Sequence, residues 1–196
     1  MEETTESRPR AVQPLARTDS TSRSIAFVAL TIALTAVSAW ITVPFGPIPF
    51  TLQMFAVTFM VLVLTPKQAM AAIAGYLVLG AVGVPVFSGM RGGIGILMGP
   101  TGGYLWGYLI GVAVASLALS LLRSRGKDNF ACGMLAGILF TAVAYLCGCL
   151  QYAAVAQIGL FEAFLVTGAP FIAVDLAKIA AATACARMVI RAVPRR

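Results

Sequence analysis

The chain contains no histidine. That absence removes Ser–His and Cys–His nucleophile pairs and histidine metal ligation within this chain. Carboxylates are scarce too. There are seven Asp and Glu in 196 residues, and charged residues of both signs make up 11%, against about 25% in an average soluble domain. The rest is dominated by AVILMFWYC, at 60%. A soluble globular enzyme cannot keep so much apolar surface away from water, so that class is excluded. A disordered chain is excluded for the opposite reason, because this composition does not stay solvated. What remains is an integral membrane protein of one domain.

The few charges are placed unevenly. Eight of the 21 lie in the first 23 positions, which read as a disordered cytoplasmic tail (residues 1–23) ahead of a membrane-embedded domain (24–192). A secretory signal peptide is the competing reading, but the apolar run after Arg23 is longer than a usual h-region and more such runs follow. About 20 apolar residues are needed to span the hydrocarbon core. Candidate spans are 24–43, 50–65, 68–84, 103–122, 131–152 and 169–190. The expected fold is therefore an all-α bundle of about six transmembrane helices. The second and third spans are short and follow Pro44, Pro47, Pro49 and Pro66, so a re-entrant hairpin over 50–84 is the alternative, leaving four full spans. Either count is even and puts both termini on one side. With those termini in the cytoplasm, inner segments hold 12 of the 14 Lys and Arg; Arg91 alone lies in an outer loop, and Lys178 lies inside a span. That asymmetry predicts cytoplasmic termini in the cytoplasmic membrane. The net charge of +7 is thus read as topology beside a lipid bilayer, with no nucleic-acid partner.

The four cysteines all fall in apolar segments, and Cys147-Gly-Cys149 matches no zinc spacing; no metal or cofactor is expected. Gly99, Gly103, Gly107 and Gly111 recur every fourth residue, as do Gly133 and Gly137, a spacing that lets helix backbones approach closely. In the first span Ala29, Ala33 and Ala36 form a small-residue face, suited to docking in the bundle or against another protein. Thr31, Thr35, Ser38 and Thr42 form a polar stripe on the same helix. No internal repeat is evident.

Three regions carry candidate ligand chemistry. Asp175 and Lys178 sit three apart within the last span, on one helix face. Ionisable groups inside a membrane are costly and usually face a cavity, a partner or a substrate path; a mutual ion pair that simply neutralises itself is the alternative. A carboxylate beside an ammonium suits a zwitterion, or a ligand with amide-type N–H groups and a separate acid. The segment Gly80–Gly103 has nine glycines in 24 residues. It lacks both the Gly-Lys-Ser/Thr ending of a P-loop and the context of a dinucleotide fold. It reads as a lid folded back over a cavity, with a tightly packed connection as the alternative; Arg91 lies at its centre and Phe87 before it. The Pro-rich stretch Val43–Gln53 brings Phe45, Phe50, Thr51 and Gln53 to the outer end of span two, while Gln151, Tyr152 and Gln157 occupy the outer end of span five.

Four motifs in order then resemble the BioY family, the biotin-binding S components of energy-coupling-factor (ECF) vitamin transporters. They are Val43-Pro-Phe-Gly-Pro-Ile-Pro-Phe-Thr-Leu-Gln53, Gly75-Tyr through Phe87-Ser-Gly89, Gly99-Pro-Thr-Gly-Gly-Tyr104, and Pro170-Phe with Asp175 and Lys178. The resemblance runs from about residue 24 to 190. It implies a six-helix bundle, biotin bound beneath outer loops, and Asp175 and Lys178 as biotin-binding residues. It implies as partners a transmembrane coupling protein and a pair of ATPase subunits, dispensable for some members, with Ala29, Ala33 and Ala36 similar to the alanine motif S components dock with. Some members carry Asn near the Phe-Ser-Gly stretch, where this chain has Met90-Arg91. The expected substrate-binding set is Asp175, Lys178, Arg91, Gln53, Thr51, Tyr152 and Phe87. The alternatives are an S component for another small vitamin, or an ion-coupled secondary transporter using Asp175. An intramembrane enzyme is the third class, and the chain has few groups to run one.

Overall fold

The computed structural model describes residues 18–44, 46 and 48–192. Among the described residues eight α-helices follow in order: α1 (Thr18–Trp40), α2 (Gln53–Val63), α3 (Pro66–Ala81), α4 (Ile94–Met98), α5 (Gly102–Ser124), α6 (Phe130–Ala156), α7 (Leu160–Thr167) and α8 (Ile172–Ala192). A two-stranded antiparallel ribbon, β1 (Thr42–Val43) and β2 (Phe50–Thr51), lies between α1 and α2, with Thr42 opposite Thr51 and Val43 opposite Phe50. One 3-10 turn, Ala169–Phe171, leads into α8.

Among the described residues four helical stretches are long and apolar enough to cross a membrane: Thr21–Trp40, Gly102–Ser124, Phe130–Ala156 and Leu160–Ala192. The second and third expected spans are shorter. With 11 and 16 residues and a rise of about 1.5 Å per residue, α2 and α3 reach only about 17 and 24 Å, against a hydrocarbon core near 30 Å.

Other boundaries moved for local reasons. The first helix stops at Trp40, not residue 43, because Pro44 forces the residue before it into extended backbone, and Thr42–Val43 then pairs as β1. The same pairing delays α2 to Gln53. The first helix also starts at Thr18, so residues 18–23, expected in the tail, belong to it; the rest of that tail, like Phe45, lies outside the described residues. Pro66 starts α3 instead of interrupting it. It sits at the first helical position, where no N–H is needed, and Thr65 and Gln68 form a reciprocal capping box. Helix α3 ends just before Gly83, whose φ of +102° no other residue adopts comfortably.

The core is built on α2, which buries residues all round and packs against α1, α5, α6 and α8. The closest pair is α5 with α6. A Cβ on Gly103 would meet the Cys147 carbonyl oxygen at 2.4 Å, and one on Gly107 would meet the Ala144 Cα at 2.7 Å. The four-residue glycine spacing thus packs α5 against α6 inside the bundle. At one end of the molecule Arg123 donates to the Leu62 carbonyl and pairs with Asp128. The opposite end carries the β1–β2 ribbon and the 82–101 segment.

Candidate functional site

At the loop-bearing end a cavity with about 670 Å³ of empty space, partly open to solvent, opens between α2, α5, α6 and α8 under the ribbon and the 82–101 segment. Its lining includes Thr51, Gln53, Phe87, Arg91, Asp175 and Lys178, six of the seven expected substrate-binding residues. Tyr152 is the exception. It is partly buried against the core and is not among the lining residues.

Asp175 and Lys178 form one ion pair at 2.8 Å, with side-chain exposures of 6% and 10%. The spacing of three on α8 brings both into the cavity. The Lys178 Nζ also donates to the Thr51 carbonyl at 2.7 Å and stands 3.6 Å from the centre of the Phe50 ring. The second Asp175 oxygen accepts from the Tyr145 hydroxyl on α6. Both charges are therefore matched and hydrogen-bonded, which is what makes a buried pair tolerable. Tyr145 and Asp175 also border an apolar groove between α6 and α8, so their contact is the partition on that side of the cavity.

Polar contacts continue from the ribbon to the lid. The Thr51 hydroxyl donates to Gln53 Oε1 at 3.2 Å, Gln53 Nε2 donates to the Tyr76 hydroxyl at 2.8 Å, and that hydroxyl donates to the Val86 carbonyl at 2.9 Å. The lid is a folded unit, not a loose connection. Phe87 and Arg91 exchange backbone hydrogen bonds around a tight turn, with Gly89 and Met90 at positive φ. Phe87 is buried edge-on against Tyr76 and flat over Gly80, where a Cβ would come within 2.0 Å of its ring. Gly80 leaves room for that ring. Trp40 Nε1 donates to the Pro85 carbonyl at 2.8 Å, and the Thr42 and Ser88 hydroxyls are 3.1 Å apart, so the end of α1 holds the lid. Arg91 is exposed, and its Nε donates to the Ser88 carbonyl. Gln151 on α6 donates to the Leu97 and Gly99 carbonyls, fixing α4, whereas Gln157 caps α6 in the left-handed region.

Sequence reasoning missed the tyrosines. Tyr104 and Tyr108 on α5 and Tyr145 on α6 all line the cavity, with Tyr104 and Tyr145 edge to face at 6.1 Å. A signal was present: a tyrosine hydroxyl inside an apolar span needs a partner. Which partner it finds is a tertiary fact.

The expected docking face is split. Ala29 and Ala33 are exposed, while Ala36 is buried in the core at 5% exposure. The polar stripe faces inward, with Thr35 and Ser38 buried.

These features define a class: a mostly helical protein with membrane-length apolar helices and a candidate small-molecule site beneath a structured segment at one end of the bundle. Comparison with known proteins narrows it. A profile described as the BioY family matches residues 10–195. A probable biotin transporter BioY of Pyrococcus horikoshii is 40% identical over 161 residues, 82% of this chain and 92% of that protein. The biotin transporter BioY of Thermotoga maritima is 43% identical over 116 residues, covering 59% of this chain and 66% of that one. The crystal structure of the S-component for biotin from an ECF-type ABC transporter superposes with a TM-score of 0.81 at 21% identity, covering 88% of this chain and 93% of that one. At that identity the likeness establishes the fold. The chain belongs to the BioY family.

Proposed function

We propose that this chain captures biotin at the cytoplasmic membrane and delivers it inward as the substrate-binding S component of an ECF-type transporter. It is a transport component, not an enzyme. The observation that carries the reading is the cavity beneath the lid, in a BioY-family chain, with Asp175 and Lys178 at its wall. Biotin is a fused bicycle with two ureido N–H donors and a ureido carbonyl, plus a valerate carboxylate. The Asp175 carboxylate, the Gln53 amide and the Thr51 hydroxyl offer acceptors and donors to such a head group, and Phe50, Phe87 and Tyr104 offer apolar walls to its rings.

In this reading the lid end faces outward and both termini are cytoplasmic, as the positive-charge count supports. Helices α2 and α3 complete a six-helix bundle as two short, tightly packed elements. The exposed Ala29 and Ala33 face the transmembrane coupling protein, and ATPase subunits supply the nucleotide chemistry for which this chain has no motif.

Uptake of labelled biotin by cells expressing the chain, with and without coupling partners and with competing unlabelled vitamins, tests the proposal. Competition by biotin alone supports it. Competition by a different vitamin assigns another substrate. Uptake abolished by an uncoupler but indifferent to the partners replaces it with ion-coupled transport.

A further inference from the structure

The cavity holds two cationic side chains, Lys178 and Arg91, and they differ in what already neutralises them. The three donors of the Lys178 ammonium are directed at the Asp175 carboxylate, the Thr51 carbonyl and the Phe50 ring face. Its charge is balanced by Asp175, and a second carboxylate brought there would leave a buried site with net negative charge. Arg91 is in the opposite state. Its Nε is held by the Ser88 carbonyl, and among the described residues the ion pairs are Arg123–Asp128 and Asp175–Lys178. Arg91 thus presents the two terminal nitrogens of its guanidinium, a fork suited to a carboxylate, with no acidic side chain against it. Its backbone is fixed by the Phe87–Arg91 bridge and the turn through Gly89 and Met90, so the fork is offered from a defined position on the lid.

Charge matching therefore distinguishes the two cations that line the cavity. We infer that Arg91 is the carboxylate-recognition residue, taking the free acid of the ligand at the lid, while the self-neutralised Asp175–Lys178–Tyr145 cluster takes an uncharged polar head group. The inference rests on the proposed function and adds to it an orientation and a reason for preferring an acid. A ligand carboxylate at Arg91 closes a one-to-one charge balance, and the neutral cluster needs no compensating charge. Because the guanidinium is exposed, part of its attraction is screened by water and salt, so the expected preference is about tenfold.

The test is a two-by-two set of affinities, for biotin and its uncharged carboxamide, each titrated into the wild-type chain and into Arg91→Gln. Wild type is expected to bind the acid about tenfold more tightly than the amide. In Arg91→Gln the two ligands are expected to bind within about twofold of each other, with amide affinity close to wild type. Arg91→Lys is expected to restore part of the gap. Retained amide affinity shows that the variant is folded. A gap unchanged in Arg91→Gln, or no gap in wild type, overturns the inference and leaves the biotin reading standing. A wild-type chain that binds neither ligand refutes the proposed function, and the inference with it.

Discussion

Placing a methyl group on Gly103 tests whether the cavity depends on the contact between α5 and α6. The added Cβ would lie 2.4 Å from the Cys147 carbonyl oxygen and 3.0 Å from its carbon. A carbon and a carbonyl oxygen sit comfortably at about 3.3–3.6 Å, so the backbones must part by about 1 Å. No side-chain rotation relieves a clash between backbones. Overpacking of this kind costs about 1–3 kcal/mol, while Ala in place of Gly returns up to about 1 kcal/mol of helix propensity. The net expectation for Gly103→Ala is a loss of about 1–2 kcal/mol. The site should suffer with it, since Tyr104 is the next residue on α5 and meets Tyr145, the hydrogen-bond partner of Asp175, across this helix pair. Gly95→Ala is the control. Gly95 is exposed in α4 with nothing within 4 Å of the added carbon, so that variant should be neutral or slightly stabilised. Thermal unfolding of the detergent-solubilised proteins gives the order of stability, and biotin titration gives the effect on the site. Gly103→Ala as stable as wild type, with unchanged affinity, would refute the packing argument.

Three further outcomes are expected. Asp175→Asn leaves the Lys178 ammonium without its counter-charge and should destabilise the chain by about 3 kcal/mol, the low end because the Thr51 carbonyl and Phe50 ring remain. The double variant Asp175→Asn with Lys178→Met should regain most of that stability in the same unfolding assay and still fail to bind biotin, separating a charge kept for function from one kept for folding. Ala29→Leu with Ala33→Leu, both exposed, should leave biotin affinity unchanged and reduce partner-dependent uptake severalfold; uptake at the wild-type rate would remove α1 as a docking face.

Much of the bundle was legible because its signals are local. Long apolar runs and the four-residue glycine spacing are both read within one helix. The Asp175–Lys178 pair stood out because an intramembrane charge is rare and the spacing of three fixes its face. What stayed illegible was set by pairings between distant segments. The Thr42–Val43 and Phe50–Thr51 ribbon has two residues per strand, too few for any periodicity. Phe87 reads as an ordinary apolar residue until Gly80 is found beneath its ring. Tyr145 lies 30 positions from Asp175, and no sequence pattern joins them. Tyr152 reads as a polar group at a helix end, and only packing turns it away from the cavity.

The central claim is that the cavity beside α8 is a biotin site. Calorimetric titration of biotin into the purified chain alone, beside Asp175→Asn, tests it most directly. The account predicts saturable binding to the wild-type chain without partner subunits, and its loss in the variant. A folded wild-type chain that releases no heat and shows no competition with labelled biotin would contradict it, as would an Asp175→Asn chain that binds biotin as tightly as wild type.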